Sequence, residues 1–276
     1  MELSRTIFLL AHTSRFVAFT LVAGMVLTQA FPSQTPKELI GDACYNELQQ
    51  PEKRTLWSYV AERHSNNHVF REQVIETVEV PVRHLLAVDG HPPTPAQMKE
   101  ENDRQQRLLK SESGRHAIQK QREDDDKRME ELLRIIPEAF VFEDQGKEGE
   151  SEKIAFHPNP EFTPKTYEQR ILHALDGIVF VDLQEKRIAR LSGSLETRVV
   201  FGYGVIGHVE QGGITEITRV HLSPGVWKIS AEKIDIEGRV VMLKTINKHQ
   251  DESRTGFEPV APDTTFAQAL NKIGGK

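Results

Sequence analysis

The segment LDGIVFVDLQEKRIARLSGSL, residues 175–195, decides the fold class that this sequence predicts. It contains two extended runs, 178–182 and 188–191, which adjoin the pairs Asp176-Gly177 and Ser192-Gly193. Glycine tolerates a positive φ, so such pairs between extended runs are typical of β-hairpin turns. We therefore predict a hairpin at each pair, within an antiparallel sheet.

The same pattern continues towards the C-terminus. Runs 214–222, 226–236 and 239–246 are separated by Ser223-Pro224-Gly225 and by Glu237-Gly238, which predict two more hairpins. A short closing helix is predicted from the helical spacing of Phe266, Ala269, Leu270 and Ile273.

Three further strands are predicted before residue 90. Trp57, Tyr59 and Ala61 alternate with polar residues, which is the period of a strand with one buried face. Runs 69–80 and 82–88 follow, and the second ends at Asp89-Gly90. Consecutive strands with short turns predict an antiparallel meander.

Two capping boxes predict helices between these strands. Thr35-Pro-Lys-Glu38 opens a short helix, and Thr94-Pro-Ala-Gln97 opens a charged helical segment over 94–136. The predicted fold class is α+β and β-rich. It is a large curved antiparallel sheet, a half or open β-barrel, with inserted helices on one face and a long charged helical segment.

The first thirty residues have the features of a secretory signal peptide. Arg5 and Arg15 precede an apolar run over 16–27, and Thr28-Gln29-Ala30 places small residues at a cleavage site. We predict cleavage after Ala30, which leaves a single domain over 31–276 in the periplasm. An uncleaved anchor is the alternative, although a membrane span needs about 20 apolar residues.

Charge and cysteine content exclude other classes of function. The net charge of −6 provides no basic surface for nucleic acid, so we expect no nucleic-acid partner. Cys44 is the single cysteine and cannot form an intrachain disulfide. It is expected to face into the first helix rather than to carry a lipid.

Local motifs give no catalytic site. The pattern G-x-G-x-x-G occurs at 202–207, but Gly212-Gly213 follows too soon for the helix that a dinucleotide site needs. These glycines are better explained by a tight hairpin tip. Histidines lack partners at metal-ligand spacing, and no nucleophile elbow is present. We predict a non-enzymatic protein with no cofactor, no metal and no stable membrane span after cleavage.

Aromatic residues in the predicted strands are the candidates for ligand binding. They can simply form the core, or several can line a concave apolar groove that holds a lipid chain. The candidates are Trp57, Tyr59, Phe180, Phe201 and Trp227.

A family resemblance rests on five stretches. These are 156–164, 175–182, 201–207, Gly212-Gly213 and Val226-Trp227. Over nearly the whole mature chain, the sequence resembles a group of exported proteins from acidobacteria. In architecture alone it resembles the Lol-type superfamily of outer-membrane lipoprotein carriers and related periplasmic sensors. The resemblance implies a half-barrel whose concave face holds the acyl chain of a lipid or lipoprotein.

Two other functions compete with a carrier. An envelope sensor or scaffold would bind another envelope protein through the charged segment over 94–136. An outer-membrane barrel would also have alternating strands, but aromatic residues make up only 7% of the chain. That content disfavours the aromatic girdles of such barrels.

Overall fold

A large antiparallel sheet dominates the computed structural model, which describes residues 34–49, 55–65, 67–201, 207–240 and 248–274. The elements in chain order are α1 (Pro36–Gln49), β1 (Leu56–Ser65), β2 (His68–Ile75), β3 (Val82–Val88), α2 (Pro95–Lys110), α3 (Glu112–Ala139), β4 (Phe140–Glu148), β5 (Ser151–Pro158), α4 (Tyr167–His173), β6 (Leu175–Asp182), β7 (Arg187–Leu195), β8 (Val199–Phe201), β9 (Gly207–Val209), β10 (Ile214–Ser223), β11 (Val226–Ile236), β12 (Gly238–Val240), β13 (Lys248–Val260) and α5 (Phe266–Gly274). The predicted signal peptide and its cleavage site at Ala30 lie outside the described residues.

Ten strands form one open sheet in the order β3-β2-β1-β13-β11-β10-β7-β6-β5-β4. Every neighbouring pair is antiparallel. The outermost strands, β3 and β4, do not pair with each other, so the sheet does not close. The predicted α+β, β-rich fold with an open antiparallel sheet is confirmed. A second, three-stranded sheet of β12, β9 and β8 lies beside it.

Several local predictions are also confirmed. β1, β2 and β3 form the expected meander. Asp89-Gly90 and Gly225 take the positive φ angles that turns require. The Thr94–Gln97 capping box opens α2, and Cys44 is buried in α1.

The hairpins predicted at Asp176-Gly177 and Ser192-Gly193 are wrong, because both glycines lie in the middle of strands. Gly177 of β6 is the cross-strand partner of Gly193 of β7. A Cβ on Gly177 would lie 2.1 Å from the carbonyl oxygen of Ser192, and the ring of Phe156 lies above both positions. These glycines therefore allow a close approach of two strands, which a side chain would prevent.

Two other predictions fail for related reasons. A hairpin at Asp176-Gly177 requires a strand over 170–175, but most of this stretch lies in helix α4, because the Thr166 side chain accepts from the backbone N–H of Gln169 and caps the helix. The hairpin predicted at Glu237-Gly238 is absent from the described residues. There, β11 pairs with β13, while Gly238 begins β12 in the second sheet.

One row of cross-strand partners defines the inner face of the large sheet. Residues directly opposite each other in antiparallel strands point to the same side. From the β3 edge to the β4 edge, the row is Val88, Phe70, Arg63, Glu252, Glu232, Ile217, Leu191, Val179, Ile154 and Asp144. In this row the residues of β10, β7, β6 and β5 are apolar, and the residues of β1, β13 and β11 are charged.

Helix α1 packs on the apolar part of this inner face. Its residues Leu39, Ile40, Ala43 and Cys44 form one buried cluster with Ile154, Phe156 and Val179 of the sheet and with Leu133 of α3. The apolar stripe of α1 therefore fills the inner face over β4–β7. Burial raises the pKa of the Cys44 thiol to about 12, with a smaller contribution from the nearby charge of Glu47.

We predict that Gly177→Ala lowers the free energy of unfolding by about 3 kcal/mol, because its methyl group would overlap the facing backbone. Gly41→Ala is the matched control. Gly41 lies within α1, and no atom lies within 4 Å of a Cβ added there. Gly41→Ala should therefore raise the free energy of unfolding by about 0.5–1 kcal/mol. Urea unfolding measures both variants. Equal stability of Gly177→Ala and the wild type would contradict the close approach of β6 and β7 at this position.

Candidate functional site

The five aromatic candidates divide between different parts of the fold. Trp57 and Tyr59 lie two residues apart on the inner face of β1 and belong to one buried cluster. The structure brings only these two together in a single buried cluster of the inner face.

The other three candidates have separate surroundings. Phe180 lies on the opposite face of β6, where the guanidinium of Arg190 lies 3.7 Å from its ring centroid. Phe201 is the last residue of β8 in the second sheet and packs against the ring of Tyr167. Trp227 stacks on His221, with ring centroids 5.1 Å apart.

We name the inner-face group around Trp57 the β1 cluster. Its buried members are Trp57, Tyr59, Ala61 and Val74, and Leu222, Val226 and Phe257 pack against them. The rings of Tyr59 and Phe257 lie 5.2 Å apart. Burial raises the pKa of the Tyr59 hydroxyl.

The composition of the β1 cluster shows that the end of the β10–β11 hairpin lies close to β1. β13 and β11 separate β1 from β10, so a flat sheet would hold β1 and β10 about 14 Å apart. Leu222 of β10 nevertheless packs against the cluster on β1 and β2. β11 pairs with β13 only over Ala231–Ile236, so the end of the β10–β11 hairpin departs from β13 and approaches β1. Side chains of the sheet itself close the cluster here.

Trp57 has an unusual hydrogen-bonding state. Its side chain is 8% exposed, and its Nε1–H has no acceptor. In the part of the chain that the structure describes, it is the one buried side-chain nitrogen or oxygen without a partner. A buried donor without an acceptor costs about 1–3 kcal/mol, so this group is a candidate ligand contact.

An ion pair borders the β1 cluster. The Lys228 Nζ lies 3.1 Å from Oε2 of Glu76, and the same Glu76 oxygen accepts from the backbone N–H of Trp57 at 3.0 Å. Lys228 and Glu76 are 19% and 23% exposed, so the pair lies between the apolar cluster and solvent. Trp57 therefore has apolar neighbours on one side and charged groups near its backbone.

A charged network lies on the inner face beside the cluster. Arg83 donates to Glu72 at 2.6 Å and to Glu252 at 2.9 Å, and Arg254 donates to Glu252 at 2.7 Å. Burial opposes ionisation of Glu252, but the charge of Arg83 and the hydrogen bond from Arg254 outweigh it and lower the pKa. These strands keep their charges paired, so this part of the inner face is polar.

Glu185 holds the turn between β10 and β11 in place. Its carboxylate accepts from the backbone N–H of Gly225 at 3.0 Å and from Nε1 of Trp227 at 2.7 Å. Burial opposes ionisation, but these bonds and the nearby His221 lower the pKa of Glu185. This turn carries Leu222 and Val226 to the β1 cluster.

A buried ion pair fastens α1 to the sheet. Arg187 donates to Glu47 through Nε at 3.0 Å and through an Nη at 2.9 Å, and Arg219 donates to the same carboxylate. Glu47 and Arg187 are 6% and 4% exposed. Burial opposes the charge on Glu47, but the two arginines outweigh it and lower its pKa.

A histidine–carboxylate pair lies beside a shallow hollow on another part of the surface. The hollow has a volume of about 300 Å³, and its lining includes Arg170, His173, Asp176 and Glu196. Asp176 also contacts Nδ1 of His157. That hydrogen bond raises the pKa of His157, although partial desolvation opposes the shift. No sequence pattern predicts this pair, because its two residues come from different strands, β5 and β6.

Comparisons with protein-family models, with curated proteins and with solved structures find no match. The class established by the fold is therefore an α+β protein built on an open antiparallel sheet. None of the helices among the described residues is long and apolar enough to cross a membrane. The described ranges also contain no group of three or more histidine, cysteine or acidic side chains placed to hold a metal ion.

We predict that the His157–Asp176 pair stabilises the fold mainly at low pH. The folded pKa of His157 is raised, so its contribution is complete below the unfolded value of about 6.5 and is lost as pH rises through the folded pKa. The melting temperature of His157→Asn should fall below the wild type at pH 5.5, and the gap should narrow by pH 8.5. His116→Asn, an exposed position on α3, is the control. A gap that widens with pH would contradict this assignment.

Proposed function

We propose that this chain is a non-enzymatic binding protein that holds the acyl chain of a lipid or lipoprotein at the β1 cluster. The observation that carries the proposal is an aromatic cluster on the inner face of an open sheet, with a charged border. The predicted leader places this activity in the periplasm. The resemblance to lipoprotein carriers supports the same ligand class.

A comparison of how the two parts of the inner face are covered favours the β1 cluster as the binding site. Over β4–β7, the apolar surface is already covered by α1, which the buried Glu47 carboxylate fastens to Arg187 and Arg219. The β1 cluster is closed by Leu222 and Val226, which flank the β10–β11 turn. Opening this turn breaks the two hydrogen bonds of Glu185, whose side chain is 19% exposed, whereas removing α1 breaks the pairs of Glu47, whose side chain is 6% exposed. We therefore place the acyl chain beneath this turn.

The energetics suit reversible binding. Each buried methylene contributes about 0.8 kcal/mol, so eight of them contribute roughly 6 kcal/mol. The loss of translational and rotational freedom opposes this gain. The net affinity expected for a single chain is then weak enough for release to an acceptor.

The test is titration of the purified mature protein with a fluorescent fatty acid, together with organic extraction for lipid that copurifies. Tyr59→Ala should weaken uptake about tenfold, because it removes an aromatic side chain from the β1 cluster. Phe180→Ala removes a ring of similar burial from the opposite face, so it should leave the affinity unchanged. Failure of the wild type to bind or copurify any lipid would refute the proposal.

An envelope sensor or scaffold is the second candidate, and the exposure of α3 favours it. This helix runs for 28 residues, and its middle carries Ile118 and Met129 at 41% and 56% exposure. Apolar side chains on an exposed charged helix suit a protein partner. Recovery of an envelope protein with the purified chain, in the absence of lipid, would support this second function.

A further inference from the structure

We infer that Trp57 recognises an acyl ester, with its indole Nε1–H donating to the ester carbonyl oxygen of the ligand. This inference rests on the proposed function, because it specifies the chemistry of the ligand at the β1 cluster. It makes Trp57 a specificity-determining residue rather than only a wall of the site.

The first argument is the hydrogen-bond inventory of Trp57. Its backbone N–H is paired with Glu76, whereas its indole N–H is buried without an acceptor. Folded proteins satisfy nearly all their buried polar groups, and an exception requires a specific explanation. A phenylalanine would provide a similar apolar surface without this cost. An indole at this position is explained if a ligand supplies the acceptor.

The second argument comes from the other tryptophan. Trp227 is buried to the same degree, at 7% exposure, but its Nε1–H donates to Glu185 at 2.7 Å. The fold therefore supplies a carboxylate acceptor for one indole and none for the other. Both side chains lie near the same turn, since Trp227 follows Val226 and Val226 packs on the β1 cluster.

The third argument is the order in which apolar and polar groups are arranged around Trp57. Tyr59, Phe257 and Leu222 provide apolar contacts for a hydrocarbon chain. The Glu76–Lys228 ion pair lies next to the Trp57 backbone and is partly exposed, which suits an oxygen-rich group. A chain, then a carbonyl, then a polar group is the order of atoms in an acyl glycerol. Because Lys228 is already paired with Glu76, a neutral ester suits the site better than a free carboxylate.

The experiment compares two probes that differ only at the carbonyl, each used below its micelle concentration. They are 1-monolauroyl glycerol, which is an ester, and 1-O-dodecyl glycerol, which is the ether of equal chain length. The wild type should bind the ester roughly tenfold more tightly than the ether, which corresponds to one net hydrogen bond. Trp57→Phe should lower ester affinity to that of the ether and leave ether affinity unchanged.

Trp227→Phe is the matched control for the ratio of the two affinities, because its indole already has an internal acceptor. Loss of its bond to Glu185 loosens the β10–β11 turn and should therefore change the affinities for the ester and the ether by the same factor. This variant should keep the tenfold preference for the ester, and thermal melting should show that both variants are folded. Equal binding of the two probes by the wild type would overturn the inference while the proposed function stands. Equal weakening of both probes in Trp57→Phe would also overturn it, since Trp57 would then act through packing alone. If the wild type binds neither probe, the proposed function and the inference fail together.

Discussion

An open sheet of ten strands leaves two unpaired edges and an inner face whose apolar part, over β4–β7, must be covered. Unpaired edges expose backbone groups and invite pairing with other chains. At the β3 edge, Gln105 and Arg104 of α2 donate to the carbonyl oxygen of Arg83. At the opposite edge, α1 packs on β4, and Lys37 pairs with Glu138 at 2.9 Å. Helix α2 thus covers part of the β3 edge, whereas residues 143–148 of β4 are exposed to solvent.

The inner face is covered in two different ways. Over β4–β7 a helix fills it, and the Glu47 carboxylate holds that helix through two arginines of the sheet. At β1 the end of the β10–β11 hairpin packs against the cluster of Trp57 and Tyr59 through Leu222 and Val226. Breaking a buried ion pair leaves an uncompensated charge and is costly. The β10–β11 turn is held by hydrogen bonds to the partly exposed Glu185 rather than by a buried ion pair, so a ligand displaces it at a lower cost than α1.

Most of the fold follows from local signals in the sequence, while the site depends on register. The capping boxes, the meander and the turn at Ser223-Pro224-Gly225 were predictable, because each rests on residues close together in the chain. The role of Gly177 was not predictable, because glycine occurs both in turns and at close contacts between strands. Only its pairing with Gly193 in the structure distinguishes the two roles. The same limit applies to the ion pair between Glu47 and Arg187, which lie 140 residues apart.

The aromatic candidates show this limit most clearly. Period-2 alternation correctly places Trp57 and Tyr59 on one face of β1. It gives no reason to separate them from Phe180, which lies on the opposite face of β6, because the face of a distant strand is set by the register of all the strands between. The missing acceptor of Trp57 depends on its neighbours in three dimensions and has no counterpart in the sequence.

The most direct measurement is the indole N–H region of a ¹⁵N-correlated NMR spectrum during titration with monolauroyl glycerol. The two tryptophans give two indole signals, which the two phenylalanine variants assign. We expect the Trp57 signal to shift downfield on binding as its N–H gains an acceptor, while the Trp227 signal stays in place. A Trp57 signal that does not move at saturating ligand would contradict the claim that the β1 cluster is the binding site.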